Sequence, residues 1–430
     1  MTRAPIQILG AGLTGMSAAH HLGGDCEIHE RLAAPGGHAI TLQERGYRFD
    51  RTGHLLHLRD PDIRRWVEQL LPGRLIEVQR RSMVFSQGVY TRYPYQANTY
   101  GLPPTTAHEC LMGFLQARER AARTPEPADF EQFCLKHFGD GFSRHFMIPY
   151  NQKLWGVHPR EISPDWCSRF VPLPQLDDVI AGAVGLNDRE LGYNRNFLYP
   201  RSGIAELSEA LCASLPVAPR FEHAPRAIDH GRRVLHFDDG DVPYQRLISS
   251  APLDRLVDLL QAPPAEVSRA AASLRCTPLW YLDVALERPS GIDMHWVYVP
   301  EARFPFYRVG CYSNFSAEMA PPGKACLYVE LASRQQPDMD TLLPQVTAGL
   351  IEMGIIEAPG DIAFATPRRI DHAYVIYDHS YQASVAIIEA FLEQHGIIST
   401  GRYGGWNYSS MEDALIFGRQ AAARAREQKP

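Results

Sequence analysis

Apolar and polar positions change period twice within the first thirty residues. Ile6-Gln7-Ile8-Leu9 is an apolar run of strand length. It enters Gly10-Ala11-Gly12-Leu13-Thr14-Gly15, and an Ala-rich stretch from Met16 to Leu22 leaves that turn with a helical pattern. A second short run, Cys26-Glu27-Ile28-His29, follows and ends on Glu30. The pattern predicts one β-α-β unit with an acid at its far end. In such a unit Gly10 permits the tight turn, Gly12 lets a diphosphate approach the backbone, and Gly15 lets the helix pack close to the strand. The N–H groups of Leu13 and Thr14 at the helix start would face phosphates, and Glu30 would accept the ribose hydroxyls.

Further along, a second glycine turn (Pro35-Gly36-Gly37-His38) precedes a helix over 60–71. Alternation over 76–95 predicts a hairpin built from Leu75–Val78, Ser82–Phe85 and Val89-Tyr90, with Gln87-Gly88 as its turn. Residues 104–170 read as helices, broken at Pro125–Pro127 and Phe138–Gly141. A strand end at Phe197–Pro200 and a helix over Gly203–Leu215 follow. Residues 217–250 read as a small β-meander returning to Leu247–Ser250. Alternating aromatics over 276–333 suit antiparallel strands, and Gly396–Gly401 is a short strand before a helix from about Ser410. The expected fold is α/β. A discontinuous Rossmann-like domain (1–75, 195–255 and 365–430) holds an inserted, mainly helical domain (76–194) and an antiparallel sheet domain (256–364).

Composition narrows the function classes. The chain has 430 residues, 45% hydrophobic and 21% charged, as a globular protein of two or three domains has. A net charge of −6 argues against a nucleic-acid binder. Eight scattered cysteines without a C-x-x-C pair point to free thiols in a reducing compartment, the cytoplasm. The first strand begins too early to leave room for a signal peptide, and no apolar run reaches membrane-spanning length. Seventeen dispersed histidines show no H-E-x-x-H or paired-carboxylate spacing, so no metal is expected.

Two features favour FAD over a nicotinamide cofactor. Glu30 followed by Gly36-Gly37 suits a loop passing over the pyrophosphate and the flavin edge. Gly401-Arg402-Tyr403-Gly404, between a strand and a helix, can face the flavin's pyrimidine carbonyl or ribityl chain. An NAD-linked dehydrogenase is the alternative, and nothing later in the chain supplies its catalytic set.

Several runs together resemble the flavin amine-oxidase/protoporphyrinogen-oxidase superfamily and, within it, the UDP-galactopyranose mutases. Phe49-Asp50-Arg51-Thr52-Gly53-His54-Leu55-Leu56-His57 is similar to the mutase histidine loop beside the isoalloxazine. Tyr93-Pro94-Tyr95-Gln96-Ala97-Asn98 resembles a Y-P-F-Q-N-N run, and Pro149-Tyr150-Asn151-Gln152-Lys153-Leu154-Trp155 resembles the segment that holds the nucleotide. Arg169 and the strand Pro305–Val309, with Arg308, stand where the family keeps diphosphate-binding arginines. Gly401–Tyr408 resembles the closing G-R-x-G-x-x-x-Y motif. Ser409-Ser410 replace the aspartate that often follows the last tyrosine, and the uracil-contacting region about 176–197 is dissimilar.

The resemblance implies an FAD-dependent mutase that interconverts pyranose and furanose forms of a nucleotide-diphospho-sugar through covalent catalysis by the reduced flavin. It implies His54, Arg169 and Arg308 as catalytic residues. Gly10, Gly12, Leu13, Thr14, Gly15, Glu30, Gly36, Gly37, His38, Gly53, His54, Gly401, Arg402 and Met411 would hold the cofactor. Tyr95, Asn98, Tyr150, Trp155, Tyr377 and Tyr408 would join the two arginines around substrate. The expected partners are the small-molecule substrate and a separate flavin reductase or NAD(P)H, with a homodimer possible and no nucleic acid. An FAD oxidoreductase with net substrate oxidation is the rival reading, and a flavin kept for structure or redox sensing is a third.

Overall fold

The computed structural model describes residues 6–167, 171–186 and 196–427. Its N-terminal layer is a four-stranded parallel sheet in the order Ile397–Ser399, Leu247–Ser249, β1 (Ile6–Leu9) and β2 (Cys26–His29). The helix α1 (Leu13–Leu22) joins β1 to β2, so the expected β-α-β unit forms as read. Strands from both ends of the chain share this sheet, which makes the dinucleotide domain discontinuous. The C-terminal helix Met411–Glu427 packs along α1: Ser17 Oγ donates to Leu415 O at 2.6 Å, and a side chain at Gly418 would lie 2.4 Å from Thr14 O.

The second layer is a seven-stranded sheet, ordered Ile362–Val375, Cys276–Leu286, Ala325–Leu331, Phe306–Cys311, Trp296–Tyr298, Ser82–Ser86 and Val89–Arg92. It is mixed, because Trp296–Tyr298 runs parallel to Ser82–Ser86. Within 256–364 the strands pair antiparallel, as expected, and the parallel pair joins that segment to Ser82–Ser86. Two of its strands come from the hairpin expected within 76–95, and Ile362–Val375 crosses position 365. The registers Arg308↔Glu330 and Gly310↔Tyr328 put these four residues on one face. The other face carries Val309, Cys311, Leu327, Val329 and Leu331, all buried, in one cluster with Val346 and Leu350 of the helix Met339–Glu352. One face of the sheet is therefore aliphatic and covered, and the other is polar and aromatic.

The hairpin departs from the expectation in one strand. Ser82–Ser86 and Val89–Arg92 pair through Gln87-Gly88, both at positive φ (53° and 78°), as a tight hairpin turn requires. Leu75–Gln79 instead pairs with Asn196–Pro200. Arg80-Arg81 offer no such turn chemistry, so that strand takes a distant partner. Helices Pro104–Arg120 and Phe130–Phe142 flank the Pro125–Pro127 break. Gly139 leaves helical geometry, but the chain continues through Ser143–Met147 into Ile148–Trp155. Gly139 and Gly141 serve the helix crossing, since a side chain at either would lie 2.1–2.3 Å from backbone of the facing helix.

Candidate functional site

The cofactor end is built on the first turn. Gly10 sits at φ 101°, and a side chain at Gly15 would lie 1.9 Å from Gly10 O. Those two glycines are required by the fold itself. Gly12 differs, because a Cβ there meets nothing within 4 Å. It caps α1 without a side-chain hydrogen bond, so the N–H groups of Leu13 and Thr14 begin an uncapped helix. Gly36 (φ 107°) bridges to Gly12, and Gly36 N donates to Ala11 O at 2.8 Å. Gly37 then lies beside Gly12. Glu30 is buried, and its carboxylate accepts from Ala11 N (2.7 Å) and Leu32 N (2.8 Å). An open backbone cradle, an uncapped helix start and a fixed carboxylate fit a dinucleotide's pyrophosphate and ribose.

The loop 51–56 carries the histidine motif and is strapped at both ends. Asp50 accepts from Thr41 Oγ1 (2.6 Å), Tyr199 Oη (2.5 Å) and Ile204 N (3.1 Å), and Tyr312 Oη donates to its carbonyl at 2.6 Å. Leu56 exchanges two backbone hydrogen bonds with Leu198. Between the straps, a side chain at Gly53 would lie 2.7 Å from Tyr328 Oη. Burial holds His54 neutral, at a pKa of about 4, and its Nδ1 has no hydrogen-bond partner. His38 is pushed down to about 3 by burial, then by Arg51, whose Nη1 donates to His38 Nδ1 at 3.1 Å. That bond makes His38 the acceptor and leaves its proton on Nε2. Arg402 donates to Ser409 O (2.6 Å) and Ala373 O (3.0 Å), and its charge bears on both histidines. Among the described residues no carboxylate pairs with Arg402 or Arg51. Gly401 sits against Thr14, and Met411 packs at the edge of the α1 core.

A second cluster centres on Tyr374. Arg308 clasps Glu330 through Nε (2.8 Å) and Nη2 (2.5 Å), and Nη2 also reaches Tyr374 Oη at 3.3 Å. Glu330 is fully buried and the Arg308 side chain keeps 20% exposure, so the fork is held from behind with an edge left open. Tyr408 stacks on Tyr374 at 6.0 Å under the Arg402 guanidinium, 4.7 Å from the ring centre. Trp155 meets both tyrosines edge-on, at 5.7 and 6.3 Å. Tyr150 packs edge-on to Tyr298 and Tyr307 and stacks on Phe146. Arg308, Arg402, Trp155, Tyr408 and Tyr374 are thereby brought together from four distant segments.

Other expected residues fall elsewhere or one step back. Tyr377 accepts from Tyr408 N at 2.6 Å and so positions that tyrosine. Tyr95 is fully buried, stacked on Phe146 at 4.9 Å, and Asn98 donates to Pro94 O. Tyr95 shares one buried cluster with Trp155 and Tyr374, and Asn98 is bonded back to its own turn. His57 packs on Phe197 and faces Asn196 O. Arg169 lies outside the described residues. Sequence reading missed Tyr374, Glu330, Arg51, Tyr328 and Tyr298. Arg51 stood inside a quoted motif and was readable as a candidate. The others sit on strands whose alternation signals only strand, and their common face follows from pairing register.

A family model for an NAD(P)-binding Rossmann-like domain matches residues 8–70. Across its length the chain is similar to reduced UDP-galactopyranose mutase, with a TM-score of 0.90 and 25% identity over 98% of this chain and 95% of that one. It is similar in fold to wild-type putrescine oxidase bound to putrescine (TM-score 0.68, 14% identity, 99% of each chain). A fatty acid isomerase from P. acnes that produces CLA shares the fold too (TM-score 0.65, 14% identity, 98% of each chain). No helix among the described residues is long and apolar enough to cross a membrane. The fold is that of UDP-galactopyranose mutase, shared more distantly with a putative protoporphyrinogen oxidase and with putrescine oxidase.

Proposed function

We propose that the protein is a flavin-dependent mutase that interconverts the pyranose and furanose forms of a nucleotide-diphospho-sugar, with FAD in its reduced state. The observation that carries this reading is the Tyr374 cluster. A guanidinium fork aligned by a buried carboxylate and a second guanidinium with no carboxylate partner meet beside three stacked or edge-packed aromatic rings. That combination suits a diphosphate joined to flat or ring-shaped groups.

Gly12, Gly36, Gly37 and the start of α1 would hold the FAD pyrophosphate, Glu30 its ribose, and Arg402, Gly53 and His54 the flavin end. Bound and reduced, FAD supplies a nucleophile for the anomeric carbon with no net use of electrons. The chain's own residues do the rest. Arg308 accepts the negative charge that develops on the departing diphosphate, and Glu330 fixes the direction of its donors. Tyr408 and Trp155 wall the site and limit where the sugar can lie. His54, kept neutral by burial, presents a ring nitrogen without adding charge beside the flavin.

An anaerobic titration of the flavin-loaded protein with UDP-, GDP-, CDP- and dTDP-sugars, before and after dithionite, tests the reading. Tighter binding to the reduced form, with a ring-altered product and no electron use, is expected. Binding of none of them in either state, or flavin bleaching by an oxidisable substrate instead, would sink it. Arg308→Ala is expected to lose roughly 2–4 kcal/mol of transition-state stabilisation. Full turnover of a nucleotide sugar by that variant would remove Arg308 from the site.

A further inference from the structure

We infer that Arg334, on the loop after Ala325–Leu331, is a further anion-binding guanidinium of the substrate site, seated at the end of the helix that carries Trp155 and acting with Arg308 to take phosphate oxygens of the nucleoside diphosphate. This rests on the nucleotide-sugar reading and adds to it a residue that lies in no motif of the sequence.

Arg334 is seated by the end of the helix Ile148–Trp155. Its Nη2 donates to Lys153 O (2.7 Å) and Leu154 O (2.8 Å), the carbonyls next to Trp155. The guanidinium lies over Gly156, where a Cβ would stand 2.0 Å from Nε and 2.7 Å from Cζ. Any other residue at 156 would push the cation off this seat. Helix capping uses Nη2 alone. Nε and Nη1 are buried with no hydrogen-bond partner, an arrangement that native proteins avoid unless something else supplies the acceptor.

The charge is equally uncompensated. Among the described residues no carboxylate pairs with Arg334. The groups that bear on it are the phenols of Tyr307 and Tyr374, and burial depresses its pKa. Tyr374 is the same tyrosine that Arg308 Nη2 reaches. Arg308 carries its own counter-charge in Glu330, so it contributes direction and little net charge. Arg334 supplies a positive charge without a carboxylate partner, and a diphosphate brings the negative charge it lacks. A purely structural cap would need neither the two idle donors nor the missing counter-ion.

The test measures binding of UDP, uridine and inorganic pyrophosphate to the flavin-loaded protein by calorimetry. Arg334→Gln is expected to weaken UDP and pyrophosphate by about 10- to 100-fold, the range for losing charge-assisted hydrogen bonds. Uridine should change by less than about 2-fold. Arg334→Lys should recover part of the loss, which keeps the test open if the Gln variant folds poorly. Gly156→Ala should reproduce the Arg334→Gln pattern without touching the charge. UDP and pyrophosphate binding unchanged in Arg334→Gln, with only the melting temperature lowered, would reduce Arg334 to a helix cap and overturn the inference. The two readings separate cleanly. Arg334-dependent pyrophosphate binding without binding of any nucleoside diphosphate keeps the anion site and sinks the nucleotide-sugar reading. UDP binding that needs Arg308 but not Arg334 does the reverse, and binding of no probe overturns both.

Discussion

Glu330 shows how one buried residue sets the character of a site. Its carboxylate is fully enclosed and its two oxygens hold both edges of the Arg308 fork. Removing one member of such a pair leaves the other ionised with no partner, and costs about 3 kcal/mol or more. Glu330→Gln is therefore expected to lose about 3 kcal/mol of stability in urea unfolding. It should bind UDP at least as tightly as wild type, because the site gains positive charge. A clear loss of UDP affinity with stability unchanged would mean that Glu330 touches the ligand directly. Tyr377 is a residue of the opposite kind. Expected around the substrate, it accepts from Tyr408 N and so positions its neighbour.

At the scale of elements, the first β-α turn separates the needs of folding from those of binding. Gly15 is enclosed by Gly10 O, and Gly12 faces open space. Gly15→Ala is expected to abolish soluble, folded protein, since no rotamer change relieves a clash with backbone. Gly12→Ala should fold with a melting temperature close to that of wild-type apoprotein but should purify without the yellow flavin absorbance. Retention of full flavin content by Gly12→Ala would place the pyrophosphate elsewhere. The seven-stranded sheet divides its labour by face in the same way. Period-2 alternation sends Val309, Val329 and Leu331 toward the helix Met339–Glu352 and Arg308, Tyr328 and Glu330 toward the site. A shift of one residue in register would bury the arginine among aliphatics, so the covered face fixes the register of the functional one.

For the molecule as a whole, burial of many titratable groups sets the response to pH. Burial lowers His38 to about 3 and His29, His54, His57 and His295 to about 4, against 6.5 when unfolded. These five contribute stability above pH 6.5 that is lost as pH falls toward 4, because the unfolded chain takes up protons the folded one refuses. Burial raises Asp50 to about 6 and Asp283 to about 7, against 3.8. Those two stabilise at low pH and lose their contribution as pH rises through 6 and 7, so they oppose the histidines over the same window. Five groups outweigh two. The urea midpoint is expected to fall on going from pH 7 to pH 4.5, and a midpoint that rises toward acid would show that the carboxylates dominate. All eight cysteines are free thiols, so no disulfide complicates that measurement.

The sequence by itself determined the β-α-β unit from Ile6 to Glu30, the Gln87-Gly88 hairpin, the helix breaks at Pro125–Pro127 and the short strand before Gly401. Each is written within a window of a few residues, by hydrophobic period and by glycine or proline at fixed places. The resemblance of its motifs to a known family also pointed to Arg308, Arg402, Trp155 and Tyr408. Only the tertiary structure decided that Leu75–Gln79 pairs with Asn196–Pro200, that Ser82–Ser86 and Ile362–Val375 join one sheet, and that Tyr374 stands between Arg308 and Arg402. Strand pairing across a hundred or more residues depends on which faces bury apolar area together, and a single strand's alternation does not name its partner. Arg334 is the sharpest case. As a sequence position it is one basic residue in a polar loop, and its two unpartnered nitrogens exist only because a helix ends at Gly156, 178 positions earlier in the chain, with no side chain in the way.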